Sequence, residues 1–249
     1  MSNFIKSVNF ISPKKEMYSN LEGLKSITVY LLNKQKINTT LPIDWLSSKE
    51  KLRYDRYFFK KDKDQFLFSK ILQRYILGKK LNLHPKEISF SHNAYGKPSL
   101  SQEHKTNLIL NFNLSHSLKW SIFAISFLGP IGIDIENISP LEKEFSLSEL
   151  VLSKQELKDF QKLNKKEKLE KFYCYWTAKE SYLKMLGKGF SINPQQVFID
   201  FFQKKALFSR SKNGFLKLYN FRNQIISICL DKAIKSVNFR LFNLDKTLM

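Results

Sequence analysis

Residues 176–190 read WTAKESYLKMLGKGF and predict the end of a long amphipathic helix. Gly187 and Gly189 stop this helix, because glycine accepts the backbone conformation that ends one. We therefore predict a helix over residues 167–186. Its apolar residues recur at helical spacing and form a stripe that faces a core, at Leu169, Phe172, Trp176, Leu183 and Leu186.

Two charged residues lie beside this stripe. Glu180 stands one step round the helix from Trp176, and Lys184 follows Glu180 one turn later. A carboxylate and an ammonium on one face can serve a cation and the phosphate that the cation binds. The alternative is an ordinary surface ion pair, with Trp176 as a core residue rather than a ligand.

A second acidic feature is the sequence IGIDIE, residues 131–136, which predicts a strand. Alternate side chains of a strand share a face, so Asp134 and Glu136 point one way while Ile133 and Ile135 point the other. Residues two apart on a strand are about 6.5–7 Å apart, and two carboxylates at that spacing can converge on a hard cation such as Mg²⁺. An exposed strand face is the alternative.

Two polar segments interrupt apolar sequence. In FNLSHS, Ser115 and His116 are predicted to follow a strand over residues 108–112, where hydroxyl, imidazole and backbone N–H groups can donate to an anion. In AYGKP, Gly96 permits close approach of the backbone and Lys97 offers a charge to a phosphate. An ordinary turn histidine and an ordinary turn lysine are the alternatives. The motifs of serine hydrolases, P-loop proteins and Rossmann folds are absent from the sequence.

The remaining pattern predicts two similar halves. The first half has a strand at 27–32, helical sequence over 44–78, and strands at 88–90 and 120–127. The second half has helices over 146–163 and 167–186. After them come short strands that we expect to form an antiparallel meander: VFIDF, KALFS, GFLKLYNF, IISICL and VNFRLF. We predict an α+β protein of two pseudo-symmetric lobes, residues 1–130 and 131–249, each an antiparallel sheet packed with a major helix. No sequence repeat supports the duplication directly.

Composition narrows the function. Of 249 residues, 43% are hydrophobic and 14% aromatic, which suffices for a core, while 42 Lys and Arg against 22 Asp and Glu leave a net charge of +20. That charge suits nucleic acid, a smaller polyanion or an acidic protein partner, and a solvated basic surface is the plain alternative.

The sequence also indicates where the protein works. The longest apolar stretch is too interrupted to span a membrane, and the first residues lack the pattern of a signal peptide. Cys174 and Cys229 form no CxxC pair, so we expect reduced thiols and neither a disulfide framework nor a zinc site. We expect a soluble, cytoplasmic protein.

In this order, YGKP, FNLSHS, GIDIE and WTAKESYLKMLGKG resemble the motifs of the 4′-phosphopantetheinyl transferases, specifically the larger, monomeric class with two pseudo-symmetric lobes. The resemblance implies that the phosphopantetheine arm of coenzyme A is transferred to a serine of an acyl or peptidyl carrier protein, with adenosine 3′,5′-bisphosphate leaving. It also implies an active site between the lobes and a need for Mg²⁺. The choice among fatty-acid, polyketide and peptide carriers stays open.

The resemblance assigns roles to single residues. Asp134, Glu136 and Glu180 would hold Mg²⁺. Glu180 and Lys184 would be catalytic, with Glu180 taking the serine proton directly or through water. Coenzyme A would contact seven residues through the motifs: Tyr95, Gly96, Lys97, Asn113, Ser115, His116 and Lys184.

One motif departs from the family. Members often carry an arginine shortly after the aspartate of the N-terminal helix region, whereas Asp62 is followed here by KDQ. The residue that binds the 3′-phosphate could therefore be any of four nearby cations, Lys51, Arg53, Lys60 and Lys61. Of these, Arg53 and Lys61 are our candidates.

The resemblance places carrier docking on residues 187–218, which are rich in Phe and Lys and suit an acidic helix with an apolar seam. The competing hypothesis is a basic nucleic-acid-binding protein that kept the fold and lost the activity. The intact acids Asp134, Glu136 and Glu180 argue against that loss.

Overall fold

The computed structural model describes residues 5–7, 26–37, 39–104, 109–140, 144–208 and 213–245. Its five α-helices within these ranges are α1 Ser48–Asp55, α2 Lys60–Leu81, α3 Glu144–Val151, α4 Lys154–Gln161 and α5 Lys165–Leu186. The strands are β1 Ile5–Ser7, β2 Ser26–Asn33, β3 Phe90–His92, β4 Pro98–Leu100, β5 Asn111–Ser117, β6 Trp120–Ser126, β7 Ile131–Asn137, β8 Phe198–Asp200, β9 Lys205–Leu207, β10 Gly214–Phe221, β11 Gln224–Leu230 and β12 Ser236–Phe242. This is an α+β protein of two sheet-and-helix lobes, as the sequence predicts.

The first lobe is a four-stranded sheet, in the order β12-β2-β6-β5, covered by α2. Helix α2 buries Ile71, Leu72 and Leu77, which pack with Phe112 and Phe123 from the sheet. The predicted helical region over 44–78 therefore forms two helices, α1 and α2.

The second lobe is a larger sheet, in the order β7-β11-β10-β9-β8, covered by α5. Helix α5 begins at a capping box formed by Asn164 and Glu167 and ends at Gly187, whose φ of 69° is left-handed, so the predicted stop at Gly187 is confirmed. Gly132 on β7 lets α5 approach closely, because a Cβ there would overlap the backbone carbonyl oxygen of Ser181.

Each sheet includes one strand from the opposite end of the chain. β12 pairs parallel with β2 of the first lobe, and β1 pairs parallel with β10 of the second. The expected place of VNFRLF in a C-terminal antiparallel meander was therefore wrong. The long strand β2 lies between β6 and β12, and without β12 one edge of this largely buried strand would lack backbone partners. The predicted lobe boundary, between residues 130 and 131, stays a prediction.

The pseudo-symmetry extends to a matched pair of capping boxes. Ser47 and Glu50 cap α1, and Glu50 accepts a hydrogen bond from Arg74 of the 22-residue helix α2 at 2.6 Å. Ser153 and Glu156 cap α4, and Glu156 accepts from Lys179 of the 22-residue helix α5 at 2.6 Å. Each lobe thus contains a short capped helix whose capping carboxylate forms an ion pair with a cation on the long helix.

Two predicted elements differ from the structure. The predicted helix over 146–163 breaks into α3 and α4, because Ser153 caps a new helix. The predicted strand over 108–112 instead runs from Asn111 to Ser117, and residue 108 lies outside the described residues. Ser115 and His116 are therefore on β5 rather than after it. The buried polar side chains of β5 concealed the strand, because the usual alternation places apolar residues there.

None of the helices in the described part of the chain combines the length and apolar character needed to cross a membrane.

Candidate active site

A polar seam joins strand β5 of the first lobe to strand β7 of the second. The backbone N–H of Ile133 donates to Asn113 Oδ1 at 2.9 Å, and Ser115 Oγ donates to Asp134 Oδ1 at 2.7 Å. Asn113 and Ser115 are two apart on β5 and so share a face, which explains why both reach β7. This seam brings two of the predicted polar segments, FNLSHS and GIDIE, side by side.

Asp134 lies at the centre of the seam, with 3% of its surface exposed. Its Oδ1 atom accepts from Lys184 Nζ at 2.6 Å as well as from Ser115, and Lys184 also donates to Ser115 Oγ at 3.0 Å. Its Oδ2 atom is buried and has no hydrogen-bond partner. A buried carboxylate oxygen without a partner is costly, so this atom marks a place for a ligand.

Glu136, the next acid on the same face of β7, is half-buried. Trp176 Nε1 donates to its Oε1 at 3.3 Å, and Ser117 Oγ donates to its Oε2 at 3.4 Å. Burial and the nearby charge of Asp134 raise the pKa of Glu136 to about 7.

Glu180 projects from α5 towards the same acids. Burial, and then the charges of Asp134 and Glu136, raise the pKa of Glu180 to about 7, while Lys184 opposes the rise. The three predicted metal ligands therefore lie within electrostatic reach of one another. They do not form a ready cage, since no group of three or more His, Cys, Asp or Glu side chains in the described ranges is arranged to hold a metal ion.

A large basic cleft of about 1140 Å³ opens beside the seam. His116 and Ser117 line it at the end of β5, and Asn137 lines it at the end of β7. Its described lining includes two acids, Asp62 and Asp64. Five cationic residues outnumber them: Lys34, Lys60, Lys61, Lys119 and Arg222. The cleft suits an anionic ligand.

Comparison with known proteins identifies this arrangement. The family model of the 4′-phosphopantetheinyl transferase superfamily matches residues 130–229, and the model of the 4′-phosphopantetheinyl transferase N-terminal region matches residues 34–127. Together they cover most of the chain. The chain belongs to the 4′-phosphopantetheinyl transferase superfamily. It falls in the larger class, because one model matches each lobe.

Several curated relatives carry the name of the superfamily. The chain is 33% identical over 150 residues to the 4′-phosphopantetheinyl transferase Sfp of Bacillus subtilis strain 168, covering 60% of this chain and 64% of that protein. It is 36% identical over 154 residues to the transferase gsp of Aneurinibacillus migulanus, covering 61% of each. It is 34% identical over 144 residues to the transferase HetI of a Nostoc strain, covering 58% of this chain and 60% of that protein. The chain thus matches about three fifths of the length of these relatives.

The predicted phosphate ligands of this superfamily member take different positions. Lys184 and Ser115 are held at Asp134, and His116 lines the basic cleft. Desolvation by the cleft walls and the ammonium groups of Lys34 and Lys184 lower the pKa of His116, so its imidazole is mainly neutral at neutral pH.

Lys97 has a role in the structure that the motif does not reveal. Its Nζ donates to the backbone carbonyls of Ile131 and Met185, each at 3.0 Å, and so ties the first lobe to both β7 and α5. Burial lowers the pKa of Lys97 to about 8. The neighbouring Asn93 Nδ2 donates to Gly187 O at 2.7 Å. The predicted contact between Lys97 and phosphate stays a prediction.

Three of the remaining predicted contacts, Tyr95, Gly96 and Arg53, are not part of the described lining of the basic cleft. Tyr95, 57% exposed, and Gly96, with a φ of 83°, form the turn between β3 and β4. The two candidates for the 3′-phosphate separate: Lys61 lines the cleft, whereas the Arg53 guanidinium lies 5.3 Å from the centre of the Phe66 ring. Which of them binds the 3′-phosphate stays a prediction.

The sequence concealed two residues of the site. Trp176 packs against the core of the second lobe, as expected, and its indole N–H also donates to Glu136. Its place one turn before Glu180 is the signal in the sequence for this second contact. Arg222 forms the turn between β10 and β11 with a φ of 58°, and its guanidinium lies 5.4 Å from the ring centre of Trp120. Arg222 reaches the cleft because the β10–β11 turn packs against Trp120 at the start of β6. No sequence motif identifies Arg222 as a residue of the site.

Proposed function

We propose that this protein transfers the 4′-phosphopantetheine arm of coenzyme A to a serine hydroxyl of an apo acyl or peptidyl carrier protein. The serine oxygen forms a new bond to the phosphorus that carries pantetheine, the phosphoanhydride bond breaks, and adenosine 3′,5′-bisphosphate leaves. The observation that carries the proposal is the Asp134–Lys184–Ser115 cluster between the lobes, beside a basic cleft. Superfamily membership supports the same reaction.

The acids of the site offer the oxygen ligands that a divalent cation prefers, although their described arrangement is not a ready cage. Asp134 Oδ2 is buried without a partner, and the mutual repulsion of the acids contributes to the raised pKa values of Glu136 and Glu180. We propose that Asp134, Glu136 and Glu180 hold Mg²⁺, a hard cation that prefers oxygen ligands. When bound, Mg²⁺ would neutralise charge on the pyrophosphate oxygens.

Side chains of the protein would bind the phosphates and take the serine proton. Lys184 stands at the acids as a fixed cation and would hold a phosphate oxygen, while Ser115 and His116 would donate hydrogen bonds. Glu180 would take the proton of the serine hydroxyl directly or through one water. Tyr95, Gly96, Lys97 and Asn113 complete the proposed coenzyme A contacts, with Arg53 or Lys61 for the 3′-phosphate.

The net charge of +20 suits this pair of substrates, since coenzyme A is polyanionic and we propose an acidic carrier. We further propose that the protein is a cytoplasmic monomer. The competing hypothesis, a nucleic-acid-binding protein that has lost the activity, predicts salt-sensitive nucleic-acid binding and no modification of any carrier.

A mass assay tests the reaction. Purified protein is incubated with coenzyme A, Mg²⁺ and each of a panel of fatty-acid, polyketide and peptide apo-carriers, and each carrier is weighed by intact mass spectrometry. We expect at least one carrier to gain the mass of one phosphopantetheine arm. The gain should disappear with a chelator and in Asp134→Ala. No gain on any carrier, together with tight nucleic-acid binding, would contradict the proposal.

A further inference from the structure

Two adjacent phenylalanines are exposed between α1 and α2. Phe58 is 92% exposed and Phe59 is 65% exposed, and their rings meet edge to face with centres 5.1 Å apart. Large apolar side chains exposed together usually mark a surface that another molecule covers. The pair directly precedes Lys60 and Lys61, and we refer to these four residues as the aromatic rim.

The aromatic rim borders the basic cleft. Lys60 and Lys61 line the same cleft as His116 and Ser117. His116, Ser117 and Asn137 put this cleft next to the acids where we propose the transfer, so a carrier docked at its edge can bring its serine to them. The sequence-based expectation placed docking on residues 187–218, yet none of the cleft-lining residues in the described structure belongs to that segment. Residues 209–212 of the segment lie outside the described residues.

The charge around the rim indicates its partner. The Lys60 side chain is 87% exposed, and Arg56 and Lys61 are exposed beside the phenylalanines. These three cations outnumber Asp55 and Asp62, the exposed acids of the same segment. The ion pair of Lys60 with Asp64 is open to solvent and is worth little, so it leaves Lys60 available to a partner. An apolar pair flanked by cations complements an acidic helix that carries apolar side chains.

We propose that the aromatic rim docks the carrier protein, with Phe58 and Phe59 packing between apolar side chains of an acidic carrier helix. This inference rests on the proposed function and names where that partner binds. The phenylalanines supply affinity, while the cations Lys60 and Lys61 speed the encounter. The Michaelis constant for the carrier therefore rises with salt.

The test compares two exposed aromatic sites, one in each lobe. Phe58→Ser/Phe59→Ser removes the apolar part of the rim, and Phe202→Ser is the matched control, because Phe202 is 85% exposed and lies in the 187–218 segment. We expect the double variant to raise the Michaelis constant for the carrier about tenfold or more. The constant for coenzyme A and the turnover number at saturating carrier stay unchanged, and Phe202→Ser matches the wild type.

Direct binding keeps the inference separate from catalysis. Calorimetry measures the affinity of the wild type and of both variants for the apo-carrier without coenzyme A. Weaker binding only in the double variant supports the rim, even if the mass assay finds no transfer and the proposed function fails. Unchanged binding in the double variant overturns it, as does an equal loss in Phe202→Ser. A wild-type dimer that the double variant dissociates, seen by light scattering, also overturns it, because a second copy then covers the rim.

Discussion

Lys184 Nζ lies 2.6 Å from Asp134 Oδ1, and the same ammonium donates to Ser115 Oγ from the other lobe at 3.0 Å. The Lys184 side chain keeps 27% of its surface exposed, whereas that of Asp134 keeps 4%. The lysine therefore joins a buried acid to the solvent side of the seam, where an anionic substrate can meet it.

Replacing this lysine should impair transfer. Lys184→Met removes the cation that we propose holds a phosphate oxygen of coenzyme A, so we expect the turnover number to fall about 100-fold or more. Steady-state kinetics with a fixed carrier measure the change. Lys188→Met is the control, because Lys188 is exposed just beyond the end of α5 and should leave turnover unchanged. Equal losses in the two variants would show that net charge, rather than position, matters.

Stability should depend on pH through two acids. Burial and repulsion raise the pKa of Glu136 and of Glu180 from the usual 4.5 to about 7. Between these values the folded state binds more protons than the unfolded chain, so the free energy of unfolding falls as the pH rises from about 5 to about 8. Melting temperatures across this range, without metal, measure the effect.

Glu136→Gln and Glu180→Gln should each flatten this dependence, because an amide does not titrate. Added Mg²⁺ should raise the melting temperature more at about pH 8 than at about pH 5, since ionised carboxylates bind it. Glu149→Gln, which removes an exposed carboxylate outside this acidic cluster, is the control for the substitution itself. The same slope in all variants would contradict the assignment of the raised pKa values to these acids.

Close packing between β7 and α5 should tolerate no side chain at Gly132. A Cβ there would overlap the carbonyl oxygen of Ser181 and the amide nitrogen of Met185, and backbone atoms cannot turn aside as a rotamer can. We expect Gly132→Ala to lower the free energy of unfolding by about 3 kcal/mol or more. Urea denaturation measures the loss.

Gly96→Ala provides the comparison. Gly96 has a φ of 83°, but nothing lies within 4 Å of a Cβ built there. The variant should cost only the strain of a left-handed residue, about 1–2 kcal/mol. A smaller loss for Gly132→Ala than for Gly96→Ala would show that α5 can shift away from β7.

The parts of the site that the sequence predicts are those carried within one element. The alternation of β7 places Asp134 and Glu136 on one face, and the helical spacing of α5 places Glu180 beside Lys184. The remaining contacts join elements far apart in the chain, so no local period encodes them. The pairing of β12 with β2 and the bonds of Lys97 to Ile131 and Met185 are of this kind.

The likeness of the two lobes also illustrates this limit. In each lobe an acid that caps one helix pairs with a cation on the next, Glu50 with Arg74 and Glu156 with Lys179. The two cations differ in type, and single residues spaced so widely give no detectable repeat. Three-dimensional pairing is needed to show that they are equivalent.

These matched pairs should differ in their contribution to stability. The side chains of Glu156 and Lys179 are each 1% exposed, whereas Glu50 is 13% exposed and also pairs with Lys70. Glu156→Gln leaves a buried ammonium without its counter-charge, so we expect it to lower the free energy of unfolding by about 3–5 kcal/mol. Glu50→Gln should cost less, because water reaches the Glu50 and Lys70 side chains, each 13% exposed, although the Arg74 side chain is buried.

The double variant Glu156→Leu/Lys179→Met separates charge from packing. It leaves no buried charge at the pair, although the backbone N–H groups of Ser153 and Ile199 and the carbonyls of Val151 and Pro194 lose their partners. We therefore expect it to be more stable than Glu156→Gln and less stable than the wild type. Urea denaturation of the three proteins measures the order. If the double variant were the least stable, the bonds to the backbone, and not the compensation of charge, would be the main contribution of Lys179.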